Sequence, residues 1–167
     1  MKHDIAQATK EIMDEWYPDS TAGHRCLYWA HAGMAAFARA GVRAGFMAGT
    51  AFFKCNDRRP PESNTFGMFW RDAPDAVPIQ TAEQKEGTIA MPEIHIWIWL
   101  IDTKEVVDFS VGELPIMAAA CSIHWERESL KVPFLWGKPT ELADVGACYI
   151  PYRDAVEFVE KLIAEHA

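Results

Sequence analysis

At 167 residues the chain has the length of a single domain, 1–167, and half of its residues are hydrophobic, enough to bury a sizeable core. The net charge of −8 argues against a nucleic-acid partner, which needs clustered Lys and Arg; the one basic cluster, at Arg58 and Arg59, is short and lies in a loop-like stretch. No apolar run reaches membrane-spanning length and the N-terminus lacks an apolar signal core, so a cytoplasmic protein with no membrane partner is expected.

Residues 3–18 read as an amphipathic helix, with Ile5, Ala8, Ile12 and Trp16 on one face, Asp4 and Gln7 at capping-box spacing, and Pro18 as the stop. Residues 19–23, "DSTAG", form a loop rich in N-cap types. The stretch 24–41 is helical by its Ala, Leu and Met content and ends at Gly41. Leu27, Trp29, Met34 and Phe37 point in different directions around it, and a helix that is apolar all round belongs inside the domain. Residues 42–55 read as a strand. The interval 54–92 is loop-like apart from the aromatic "FGMFW" at 66–70, which suits either a core strand or a hydrophobic lid. Further on, residues 112–123 suggest a short helix, 132–137 and 146–152 suggest strands, and 154–166 an amphipathic helix with Val156, Val159, Leu162 and Ile163 facing inward. The order α, buried α, mainly β, α is an α+β layout.

Between these lies a hairpin with two polar residues that an ordinary hairpin does not need. In "EIHIWIWLIDTKEVVDFS" (93–110), Ile94, Ile96, Ile98 and Leu100 share one face, and His95, Trp97, Trp99 and Ile101 the other. Any even-length loop puts Asp108 opposite an odd-numbered residue and so on the His95 face. With the turn centred on Asp102 and Thr103, Asp108 faces Trp97 and lies diagonally from His95, within reach of a hydrogen bond.

Such a pair is either a core histidine with a strand-end aspartate meeting solvent or the support of a nucleophile, and for the second role the chain offers Cys26. It follows a loop and falls within the first turn or so of the buried helix, where unpaired N–H groups and the helix dipole favour a thiolate and can hold an oxyanion. Cys26, His95 as the base and Asp108 as its orienting carboxylate then form a candidate catalytic set. Cys55, Cys121 and Cys148 have no comparable setting and read as structural; there is no C-x-x-C pair. His24 and His31 flank the same helix, but a spacing of seven keeps them two turns apart and speaks against one metal holding both with Cys26.

"GHRCLYWAHAGMAAFARAGVRAGFMAGTAFF" followed by "HIWIWLIDTKEVVDFS" resembles the transglutaminase-like branch of the papain-like cysteine superfamily. The shared pattern is a Cys at the start of a buried helix, then a strand, then a His beginning a strand with Trp soon after, and an Asp ending the next strand. It covers residues 20–53 and 93–112, and departs from many relatives in the bulky Ile96 after the His. The resemblance implies a papain-like, transglutaminase-like fold, an antiparallel sheet packed on the helix that carries Cys26. It implies a thiol hydrolase or acyltransferase acting on a peptide or amide-containing substrate through a Cys26 thioester, hydrolysis ahead of transfer to an amine, without cofactor or metal. Trp97 and His24 are the candidate substrate-binding residues, and Ser20 and His24 are near enough to Cys26 to be considered as oxyanion donors. A non-catalytic domain that holds a peptide or partner in an aromatic cleft is the alternative.

Overall fold

In a computed structural model the described residues are 1–19, 25–59, 62–70, 90–91 and 94–166. Among the described residues five α-helices accompany a seven-stranded sheet: α1 Lys2–Trp16, α2 Arg25–Arg39, β1 Ala44–Lys54, β2 Thr65–Met68, β3 Ala90–Met91, β4 His95–Leu100, β5 Glu105–Asp108, α3 Leu114–Ala120, β6 Leu135–Gly137, α4 Pro139–Val145, β7 Ala147–Pro151 and α5 Arg153–His166. The strand order is β3-β2-β1-β4-β5-β6, with β7 paired to β1. All ladders are antiparallel except β2–β3. The fold is therefore α+β with a mainly antiparallel sheet.

The long strand β1 organises the sheet. Its first half pairs with β4 and its second with β7 and β2, and at Gly49 two ladders overlap, His95 being its partner in one and Pro151 in the other. Strand alternation then divides the core. Ile96, Ile98, Leu100 and Val107 face the helices and pack with Ala30, Ala36 and Phe37 of α2 and with Ile5 and Ile12 of α1. Trp97, Val106, Phe53 and Phe66 form a second apolar cluster with Leu114, Leu130 and Leu142. The "FGMFW" segment belongs to the core, with Phe66 in β2 and Phe69 and Trp70 just beyond it, all buried.

Helix α2 is enclosed over all but its last two residues, with none from Arg25 to Phe37 fully exposed, as an all-round apolar helix requires. It ends at Gly41, whose positive φ of 69° suits a left-handed cap. The helix approaches the sheet closely at Gly33, where a Cβ atom would sit 2.5 Å from Ile98 Cδ1 and 2.8 Å from the Phe109 ring.

Three expectations differ in detail. Helix α1 starts at Lys2, so Asp4 lies in its first turn and pairs with the N-terminal ammonium, while Gln7 bonds Glu11 rather than closing a capping box. Trp16 is 40 % exposed and the inward face is Ile5, Thr9, Ile12 and Met13; Thr9 tolerates burial because its hydroxyl donates to the Ile5 carbonyl. Helix α4 has no counterpart in the sequence reading, although Pro139 begins it and Gly146, at φ 102°, ends it.

Replacing Gly33 by Ala should lower stability in urea denaturation by about 1–3 kcal/mol, the cost of overpacking a filled interface. Alanine's better helix propensity, about 1 kcal/mol, works in the opposite direction. An unchanged or raised midpoint would mean that α2 has room to move off the sheet.

Candidate active site

His95 opens β4 and Asp108 closes β5, so hairpin register decides whether they meet. The pairs are Ile98 with Val107, Trp99 with Val106 and Leu100 with Glu105, a register that continues to Trp97 opposite Asp108 and leaves His95 on the diagonal. The loop is longer than two residues but still even: Ile101 to Lys104 form the turn, closed by the Lys104 N–H on the Leu100 carbonyl. His95 Nε2–H donates to Asp108 Oδ2 at 2.7 Å, with both side chains essentially excluded from solvent, at 0 % and 1 % exposure.

A carboxylate buried this deeply needs donors on both oxygens. Asp108 Oδ1 accepts from the Ser110 backbone N–H at 2.9 Å and from its hydroxyl at 2.7 Å, and Oδ2 also accepts from the Tyr149 hydroxyl at 2.8 Å. Burial pushes the Asp108 carboxyl up. The His95 charge and hydrogen bond, with the bonds from Ser110 and Tyr149, more than offset this and hold it below the usual carboxylate value. The Tyr149 phenol is pushed well above its ordinary value, by burial and by the Asp108 charge.

Burial also works against a charged His95. The Asp108 charge and hydrogen bond outweigh it, Cys26 adds a polar contact and its charge, and the imidazole is raised to about 10. Cys26 thus lies within interaction range of the ring. Nδ1 is buried and makes no hydrogen bond of normal geometry among the described residues, so the contact with the thiol is looser than a formed bond.

The meeting of Cys26 and His95 follows from matched advances along two elements. From Cys26 to Gly33 is seven residues of helix, about 10 Å of axis. From His95 to Ile98 is three residues of strand, again about 10 Å. Because Gly33 is seated on Ile98, the first turn of α2 arrives beside the first residue of β4. The same end of the helix is tied to the chain beyond β5. Glu113, in a 3-10 turn at Val111–Glu113, accepts from Arg25 at 2.6 Å and from the Trp29 indole N–H at 2.9 Å.

Among the other residues singled out by sequence, Trp97 is buried, at 2 % exposure, with its ring 6.1 Å from the His95 ring and near-parallel to it. It walls the imidazole rather than offering a surface to a substrate. His24 and Ser20 lie outside the described residues. His31 bonds the Tyr17 hydroxyl through Nδ1. Cys55 is buried, its thiol donates to the Phe53 carbonyl, and burial lifts its pKa to about 11, as suits a structural thiol. Cys148, expected to be structural, is exposed, and Cys121 is partly so. Ser110, Tyr149 and Glu113 went unrecognised. Ser110 had a local signal, because an Asp commonly bonds the N–H two residues on. Tyr149 had none, lying 41 residues from Asp108.

No protein-family model and no curated protein matches the chain. A crystal structure named only as a genomics target is similar to it, with a TM-score of 0.58 at 11% sequence identity, covering 99% of this chain and 72% of that one. A likeness at that identity bears on the fold alone.

The His95–Asp108 pair should leave a signature in the pH dependence of stability. Asp108, with its pKa lowered from 3.8, contributes above that value and loses its contribution as pH falls through the folded value. His95, raised from 6.5 to about 10, contributes fully below 6.5 and loses its contribution between those two values. Asp108→Asn should therefore destabilise most between about pH 4 and 6.5, by about 3 kcal/mol, with a deficit that shrinks as pH rises toward 10. Urea titrations of both proteins at several pH values measure this, and a deficit independent of pH would mean that the pair is not charged in the folded state.

Proposed function

We propose that the chain is a thiol hydrolase or acyltransferase with a papain-like, transglutaminase-like fold, acting on amide or peptide bonds through a Cys26 thioester. The observation that carries this reading is the state of His95: Nε2 is committed to a buried carboxylate, and Cys26 interacts with the ring from α2, leaving Nδ1 as the nitrogen for the thiol. A loose resting contact is compatible with this role, since catalytic hydrogen bonds often tighten only when substrate is bound.

In this mechanism His95 Nδ1 takes the Cys26 proton, and the thiolate attacks the substrate carbonyl carbon. The carbonyl π electrons move to oxygen, where N–H groups at the start of α2 stabilise the charge. The tetrahedral intermediate collapses with cleavage of the C–N bond, and the imidazolium protonates the departing amine. Water, deprotonated by His95, then attacks the thioester carbonyl; a second collapse releases the acid and returns the thiol proton. An amine in place of water gives transamidation. Asp108 keeps the Nε2–H tautomer and supports the imidazolium throughout.

A non-catalytic binding domain is the second reading, favoured by the lack of a hydrogen bond at Nδ1 among the described residues. Alkylation separates the two. Under the catalytic reading, iodoacetamide labels Cys26 rapidly near pH 6, as peptide mass spectrometry reports, and His95→Ala slows that labelling by roughly 10-fold to 100-fold. A p-nitrophenyl ester should also leave an acyl mass on Cys26 in the wild type. Slow labelling that is indifferent to His95→Ala would remove the chemical basis of the enzyme and favour the binding domain.

A further inference from the structure

The four hydrogen bonds to Asp108 come from three places, and one of them is remote: the Tyr149 hydroxyl, delivered by β7. We infer that Tyr149 is a positioning residue for the His95–Asp108 pair, holding the shared carboxylate oxygen with its hydroxyl and the imidazole with its ring. This rests on the reading of Cys26, His95 and Asp108 as a catalytic set.

Geometry supports a role beyond filling space. The hydroxyl donates at 2.8 Å to Oδ2, the oxygen that receives His95 Nε2–H at 2.7 Å. The ring centroid is 6.1 Å from that of His95 and 5.2 Å from that of Trp97, so the imidazole has an aromatic neighbour besides Trp97. To reach Asp108 from β7, the phenol spans two intervening strands, β1 and β4. At its register the β1 residues on that face, Gly49 and Ala51, carry nothing larger than a methyl group, while Phe53, further along the same face, packs edge-on against the phenol. Strand β7 can lie where it does because Gly49 has no Cβ: one built there would run into the Ile150 carbonyl oxygen.

Two donors on one oxygen divide its charge. The groups that face His95 are Asp108 from β5, Tyr149 from β7 and Cys26 from α2, while Phe53 and Trp97 are uncharged walls. Tyr149 therefore moderates the pull of Asp108 on the imidazolium. Without the hydroxyl, that pull strengthens and His95 keeps its proton to higher pH.

The test is the rate of Cys26 alkylation by iodoacetate from about pH 4 to about pH 11, read by peptide mass spectrometry on the full chain. The anionic reagent is drawn to the imidazolium, so its rate falls as His95 loses the proton. Tyr149→Phe should move that falling limb upward by roughly half to one pH unit, with the plateau rate changed less than about three-fold, and Asp108→Asn should move it downward. A limb unmoved by Tyr149→Phe but moved by Asp108→Asn overturns the role of Tyr149 and leaves the catalytic set standing. A wild type without a falling limb overturns both. Should Tyr149→Phe not fold, proton NMR of the wild type decides: a slowly exchanging Tyr149 hydroxyl close to the His95 Nε2–H supports the inference, and a freely exchanging hydroxyl overturns it.

Discussion

A carboxylate at 1 % exposure survives inside this protein because its oxygens are surrounded by donors, and much of the sheet's arrangement converges on supplying them. Removing one charge from water costs several kcal/mol, and a single partner seldom compensates. Asp108 takes its first donor from the strand beside it, two from the residue two positions on, and the last from the far end of the chain. The turn holding Ser110 continues into Glu113, which anchors the start of α2. Ser110, which satisfies one carboxylate oxygen, and Glu113, which ties down the start of the helix carrying Cys26, thus lie three residues apart in one short segment.

The surroundings of His95 work in a complementary way. Phe53, Trp97 and Tyr149 exclude water from the ring, which strengthens its interaction with Asp108 and restricts its rotation. Cys26 remains partly exposed at the helix end. In the proposed chemistry the base and its orienting group are dry, whereas the nucleophile can be approached. Cys55 is the contrasting case: it too is a free thiol, but fully enclosed, bonded to a backbone carbonyl and raised in pKa. Environment rather than residue type separates the two.

How much of this was legible in the sequence depends on the range of each interaction. The hairpin could be read because alternation has a period of two and the turn is even, so the partner face of Asp108 followed even though the loop has four residues. Helix α2 could be read from its lack of a polar side. Helix α4 could not, because seven residues hold too little periodicity to distinguish a helix from the loop-and-strand region around it. Trp97 read equally well as wall or platform, and its burial depends on the second apolar cluster, assembled from strands and loops far apart in sequence. Tyr149 depends on which strand β7 joins and on the absence of a side chain at Gly49, both long-range facts with no local trace.

The seating of Gly33 on Ile98 also constrains which length changes the chain can accept. Helix and strand keep step here like two scales of a vernier, coinciding at Gly33 and again at Cys26. One residue inserted between those positions would turn the thiol about 100° around the helix axis and advance it about 1.5 Å, away from the imidazole, while leaving the packing beyond Gly33 intact. Insertions after Gly33, or in the Ile101–Lys104 loop if they keep an even count, would leave the Cys26–His95 approach undisturbed. The interval from Cys26 to Gly33 is therefore an inelastic part of the chain, for a reason that concerns phase rather than composition.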